Sequence, residues 1–340
     1  MKKLLKAGIL LLLLLSFVLT GCQFGIKKTT DEMDAPPVNY VEEGDSLQLD
    51  EGAVEASDET GTLDMVEREL YLIDANGYVV PQTVSLPKKE GVLRQLLEYL
   101  VIDGPVSEVL PNGFQAVIPA GTEVDVKLTE EGVAIVDFSN EFKEYHAEDE
   151  LKILQSITWT LTQFDTVDKV QFRINGYDIK EMPINGTPIG DGYSRADGIN
   201  LESDQVIDIV ASEEVTLYFL SNNGENNYYV PVTRRVEKSE DKVTTIVQQL
   251  LNGPSAYSPL LTDFRNGIKL LDEPILTDGI VTLNFNEAIL TELEQTAISN
   301  EALNMFVLSL TEQKGIEQVA LQVNGDSEVL RVTGEQLSEP

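Results

Sequence analysis

Leu93–Pro105, LRQLLEYLVIDGP, and Val243–Pro254, VTTIVQQLLNGP, share one pattern. The first places Leu93, Leu96, Leu97, Leu100 and Val101 at helical spacing; the second does the same with Val243, Ile246, Val247, Leu250 and Leu251. Residues at i, i+3, i+4, i+7 and i+8 share one face of an α-helix. Both stretches then stop in the same way, at Asp103-Gly104-Pro105 and Asn252-Gly253-Pro254. Glycine suits the left-handed residue that closes a helix, and proline cannot continue one. A matching face followed by a matching stop points to an internal repeat.

The repeat extends outward from these helices. ELYLIDANG from Glu69 matches TLYFLSNNG from Thr216, and GVAIVDFSNEF from Gly132 matches GIVTLNFNEAI from Gly279. A second helical pair follows, ILQSITWTLTQF from Ile153 and ALNMFVLSLTEQ from Ala302. VQFRINGYDI from Val170 and VALQVNGDSEV from Val319 close the copies, with Asn175-Gly176 and Asn324-Gly325 at type I′ turn positions, so a terminal hairpin is expected in each. The order is strand with a hairpin partner, helix, antiparallel-looking strands, helix, strand. It predicts an α+β fold of two tandem repeated domains, each a small mixed or antiparallel sheet with two helices on one face. The predicted boundaries are 66–182 and 213–333, joined by a glycine-rich connector over 183–212, with a tail over 334–340. A short strand is expected at Val206–Val210.

The N-terminus is of a different kind. Lys2, Lys3 and Lys6 precede an apolar run from Ala7 to Leu19, shorter than the roughly 20 residues a spanning helix needs. A basic start, a short apolar run and small residues at its end describe a secretory signal, here 1–21. It is followed by Cys22, the one cysteine in the chain. Leu19-Thr20-Gly21-Cys22 resembles the lipobox of bacterial lipoproteins. That resemblance implies a diacylglyceryl thioether on Cys22, cleavage before it, and a mature chain anchored to a membrane without spanning it. Two acyl chains meet the condition for stable anchoring.

Residues 22–65 are rich in carboxylates and poor in large apolar side chains, so a flexible acidic tether is expected there. About 40 such residues reach on the order of 35 Å, and more if like charges extend them. The whole chain has 24 basic and 58 acidic side chains; losing the three lysines ahead of Cys22 leaves 21 against 58, a net of −37. A field of that sign repels phosphate backbones and excludes nucleic acid as a partner. The acidity reads first as solubility and environment, and second as a surface for cations or a basic partner.

The repeat resembles the GerMN domain family of sporulation and spore-germination lipoproteins. The resemblance covers roughly 66–333 in two copies, and the helix stops and the strands ending VDFSNEF and LNFNEAI carry it most specifically. It implies a fold like the small βαββα ring-building modules of secretion systems. It also implies a role in sporulation, and thereby germination, as an assembly or scaffold factor in the space between mother cell and forespore. The implied location is the outer leaflet of the cell membrane. Sporulation envelope proteins are the implied partners, and a ring or homo-oligomer is one form of assembly. The two Gly-Pro corners or exposed sheet edges are the expected assembly surfaces.

No catalytic set emerges from the residues. His146 is the only histidine, and there is no metal-binding Cys/His cluster, P-loop or GxSxG. No cofactor and no catalytic or metal residue is assigned. DANG at Asp74 and DGYSRADG at Asp191 lack calcium-loop spacing and read as turns. Trp159, and the tyrosines Tyr71, Tyr218, Tyr228 and Tyr229, read as packing residues. Two other functions stay open: a module binding cell wall or a small ligand between the domains, and a wall hydrolase using paired carboxylates.

Overall fold

The computed structural model describes residues 64–202, 208–290, 297–326 and 330–331. The first copy opens with an antiparallel hairpin, β1 (Met65–Asp74) and β2 (Val79–Pro87), in register from Met65 opposite Pro87 to Ile73 opposite Val79. Asp74 closes the turn as expected, its Oδ1 accepting from Asn76 N at 2.9 Å and Tyr78 N at 2.8 Å. Helix α1 (Val92–Tyr99), the short β3 (Phe114–Gln115), β4 (Val124–Leu128) and β5 (Val133–Phe138) follow. Then come α2 (Glu150–Leu161), β6 (Lys169–Ile174) and β7 (Tyr177–Asp178). Strands β4-β5-β6-β7 form one sheet, and β3 extends the hairpin by pairing with the end of β1.

The second copy repeats this plan. It runs through β8 (Ser212–Asn222), β9 (Asn227–Glu237), α3 (Lys242–Asn252), β10 (Ile275–Thr277) and β11 (Ile280–Phe285). It ends with β12 (Ala297–Ile298), α4 (Asn300–Thr311), β13 (Gln318–Val323) and β14 (Leu330–Arg331). The sheet order is β10-β11-β13, with β12 paired to β14. The chain is an α+β protein of two repeated domains. Both terminal Asn-Gly turns have the expected left-handed pairs, φ 51 and 80 at Asn175-Gly176 and φ 51 and 82 at Asn324-Gly325.

The strands lying between the helices, β4 with β5 and β10 with β11, are antiparallel, while β5 with β6 and β11 with β13 are parallel, so each sheet is mixed. A helix that returns the chain to the start of the sheet sets the next strand in the same direction. Two local expectations are corrected. The first Gly-Pro stop is not a glycine cap. Helix α1 ends at Tyr99, Asp103 takes the left-handed conformation (φ 59), and Gly104 is extended. Glycine is needed at 104 because a Cβ there would sit 2.9 Å from Val101 O. Only at the second stop does a glycine, Gly253 at φ 80, cap the helix in a positive-φ conformation. The expected strand at Val206–Val210 is also absent where it is described: Ile209–Ala211 form a 3-10 turn, and 203–207 lie outside the described residues.

The central helices explain how each copy holds together. α2 is buried along nearly its whole length, with Ile153, Leu154, Ile157 and Leu161 in the main core. Its buried polar residues have a task. The edge of β1 that faces away from β2 meets α2, and buried backbone groups must be hydrogen-bonded. Tyr71 N donates to Thr160 Oγ1 at 3.0 Å, and Ser156 Oγ donates to Tyr71 O. Gln163 accepts from Glu69 N at 3.3 Å and donates to Glu69 O at 2.9 Å. Helix side chains thus stand where a neighbouring strand would be. The second copy keeps the key link, Tyr218 N donating to Ser309 Oγ at 2.9 Å.

Glu150 starts α2 fully buried and ties the connector to it. Its carboxylate accepts from Asn185 N at 2.7 Å, Thr187 N at 2.9 Å, Ile184 N at 3.1 Å and Tyr145 OH at 2.8 Å. Desolvation pushes this carboxyl up, but the donors outweigh it and hold it below the usual range. Such a group stabilises the fold above its unfolded pKa, and that contribution is lost as pH falls through the folded pKa. Glu150→Gln is therefore expected to cost about 2 kcal/mol at pH 7. The difference from wild type should shrink toward pH 3, as read from urea midpoints at both pH values; an equal difference at both would remove the charged-acceptor account.

Candidate functional site

The junction between the copies is where buried polar groups concentrate. The connector enters it through a 3-10 turn, Arg195–Asp197, closed by a capping box between Ser194 and Asp197. At Gly198 (φ 78) a Cβ would come within 2.6 Å of Leu201 Cδ2 and 3.1 Å of Thr233 Cβ, so the chain passes there only without a side chain. Beyond it the connector lies along the free edge of β9. Thr233 N donates to Ile199 O at 2.8 Å, and Glu202 N donates to Thr233 O at 2.9 Å.

Asn200 joins the two hairpins. Its Nδ2 donates to Val79 O on β2 and to Pro231 O on β9, both at 2.7 Å, while its Oδ1 accepts from Val79 N at 2.9 Å. Asparagine fits for two reasons: it tolerates the left-handed backbone seen here (φ 46), and its amide both donates and accepts. The connector so fills the space between β2 and β9, which hold equivalent places in the two copies.

Beside this seam lies a charged lock. Arg195 stacks 4.2 Å from the Trp159 ring centroid, donates from Nε to Thr162 Oγ1 at 3.1 Å, and donates from Nη1 to both oxygens of Glu312 at 2.8 and 2.9 Å. Tyr218 OH donates to Glu312 Oε1 at 2.8 Å. Burial opposes charge on Arg195, but Glu312 outweighs it and raises the guanidinium pKa above its ordinary value. Trp159, Tyr71, Val79 and Ile199 form a small apolar cluster around the lock. Two further contacts cross between the copies: Tyr228 OH donates to Asp74 Oδ2 at 2.7 Å, and the Phe114 and Tyr228 rings meet edge-on at 5.1 Å. Arg234 and Glu202 pair at 2.7 Å, both nearly buried, and bind the connector to the second copy.

The residues singled out in the sequence fall in several places. Cys22, Leu19, Thr20 and Gly21 lie outside the described residues. His146 is exposed at the start of a 3-10 turn. Tyr71, Tyr218, Tyr228, Tyr229 and Trp159 are all buried, and all but Tyr229 take part in the junction. Among the described residues no group of His, Cys, Asp and Glu is placed to hold a metal ion, and no helix is long and apolar enough to cross a membrane. A ligand cleft between the domains would need open space where Asn200, Arg195 and Trp159 sit. A groove of about 660 Å³ lies within the first copy, lined by Arg94, Glu98, Glu123, Asp125 and Asp137. Arg94 there pairs with Glu98 at 2.9 Å, and Asp137 accepts from Gly176 N at 2.9 Å. Arg195, Asn200 and Glu312 were not singled out in the sequence. One signal was available: the repeat places Gln163 and Glu312 at the same position of matching helices, and only the second is charged.

The site is thus a junction between two tandem α+β repeats, locked together through the connector. Residues 69–180 and 216–329 each match the family described as Germane: Sporulation and spore germination, and the chain belongs to that family. It is 49% identical over 338 residues to the spore germination protein GerM of Bacillus subtilis (strain 168), covering 96% of this chain and 92% of that one. The solved structure of the tandem GerMN domains of the sporulation protein GerM from Bacillus subtilis matches with a TM-score of 0.77 at 55% identity, over 81% of this chain and 96% of that chain.

Two outcomes are expected at the junction. Arg195→Ala leaves Glu312 without its cation and should cost about 3 kcal/mol in unfolding free energy; adding Glu312→Gln should recover part of this. Full additivity of the two substitutions would show that the lock is not a coupled pair. Nearby Glu69 has its carboxyl pushed up to about 7, first by burial, with Arg195 opposing and Glu312 adding. An acid raised in this way stabilises the fold most below its unfolded pKa, and that stability is lost as pH rises toward 7. Glu69→Gln should therefore flatten the fall in unfolding midpoint between pH 5 and pH 8, and an unchanged slope would assign the fall elsewhere.

Proposed function

We propose that this protein is a non-catalytic lipoprotein, anchored through Cys22 to the outer leaflet of the cell membrane. In this reading it acts in sporulation, and thereby germination, as an assembly or scaffold factor of an envelope complex between mother cell and forespore. The observation that carries the reading is the junction. Its charges and amides are spent on structure: Arg195, Glu312 and Asn200 link the two copies, and Glu202 and Arg234 bind the connector to the second. Such a body presents surfaces rather than a reaction site. Membership of a sporulation and germination family supports the process, and the lipobox sequence supports the anchor.

The mode of assembly is constrained. β2 packs toward its own counterpart β9, so the contact within the chain joins like to like. A contact of that type closes on itself, whereas rings need head-to-tail surfaces. A ring or homo-oligomer, and contacts with envelope proteins, would therefore use surfaces away from the hairpins.

Deletion of the gene in its host tests the proposal. Growth should be normal while heat-resistant spores fall at least tenfold. Wild type should restore them, and Cys22→Ala should not. Labelled palmitate should enter the wild-type chain and not the Cys22→Ala chain. Normal spore counts in the deletion strain would remove the proposed role.

A further inference from the structure

The two copies differ at one sheet edge. In the first copy β4 reads Val124-Asp125-Val126-Lys127-Leu128, an edge strand whose outward positions carry Asp125 and Lys127. Charged side chains on an edge are a common protection against pairing with another chain. The second copy lacks this protection. Lys127 lies opposite Ile135 and Leu128 opposite Ala134; by register their counterparts are Ile275, opposite Thr282, and Leu276, opposite Val281. Ile275 is 64% exposed and Leu276 51%. Leu271, 46% exposed, lies just before them. Among the described residues β10 pairs only with β11, which leaves its outer edge open.

Acidic side chains frame this edge. Asp272 and Glu273 precede it in a two-residue widening relative to the first copy, and Asp278 follows it in the turn; all three are exposed. We propose that the outer edge of β10 is a docking site for an extended segment of a partner protein, apolar at alternate positions and flanked by lysine or arginine. The inference rests on the assembly role above and assigns it a surface. Strand addition would supply main-chain hydrogen bonds, Ile275 or Leu276 (according to which face the partner's apolar side chains share) the apolar contact, and the flanking carboxylates the charge match.

Charge decides against the other occupants. A second copy docked edge to edge through β10 would bring Asp272 and Glu273 against Asp278 of its partner. The chain's own residues 23–63 hold eleven acidic and two basic side chains, and 332–340 hold two acidic and none basic, so both have the wrong sign.

The test uses the mature full-length chain in detergent micelles and two labelled nonapeptides of equal charge. One is Lys-Lys-Val-Thr-Val-Thr-Val-Lys-Lys; in the other each valine is replaced by serine. Fluorescence anisotropy should show binding of the valine peptide at least tenfold tighter than the serine peptide. The double variant Ile275→Lys, Leu276→Lys should lose at least tenfold in affinity with its unfolding midpoint unchanged, as expected for exposed positions. Equal binding of the two peptides would mean charge attraction alone and would overturn the proposal. So would undiminished binding to the double variant. A concentration-dependent dimer of wild type, lost in the variant, would give the edge to a second copy and overturn the proposal as well. In the host, the double variant at wild-type level should reduce heat-resistant spores at least tenfold. If deletion abolishes spores but the variant makes them normally, the docking edge is wrong and the sporulation role stands. If deletion has no effect, the role falls, and peptide binding alone decides the edge.

Discussion

The hydrogen bond from Tyr71 N to Thr160 Oγ1, with its counterpart from Tyr218 N to Ser309 Oγ, is the constraint on which the rest of the structure depends. A two-stranded hairpin is marginal alone and has two unpaired edges. Here one edge is satisfied by hydroxyls on a buried helix. That requirement explains why α2 carries Ser156 and Thr160 in positions that are fully buried. It also fixes where each hairpin sits, and so brings Tyr71 and Tyr218 to the same seam.

From this shared frame the copies diverged in ways that follow from single positions. Gln163 donates and accepts, and so can serve the strand beside it. Glu312 in the same place can only accept, and it takes Arg195 and Tyr218 OH instead. One change in the helix thus converts a link within a domain into a link between domains. At the edge of the β10-β11-β13 sheet, exchanging a charged residue for Ile275 leaves the second copy with an apolar rim that the first does not have.

Much of the fold was legible because repetition reduces ambiguity: two independent sequences agree on each helix face and each Asn-Gly turn. The parallel pairing of β5 with β6 was not legible. Alternation in a single strand states which residues face inward and not which way its neighbour runs. The first helix stop misled for a similar reason. Asp103-Gly104-Pro105 looks like Asn252-Gly253-Pro254, but Gly104 is required by its closeness to Val101 rather than by its own backbone angles. The junction was the least legible part. Arg195 and Asn200 lie in a segment read only as a connector, and their roles come from groups 31 to 121 residues away in sequence.

Hairpins that meet their own counterparts would, on separate chains, make a homodimer. On one chain the arrangement behaves differently. The partner is tethered by the connector, and intramolecular linkage corresponds to millimolar effective concentrations, so the pair does not come apart on dilution. It is also released from symmetry. In a true homodimer every substitution appears twice, and an arginine near the axis would face another arginine. Here Arg195 occurs once and meets a single Glu312, so a junction of like surfaces is held by an interaction that two identical subunits would have to make twice.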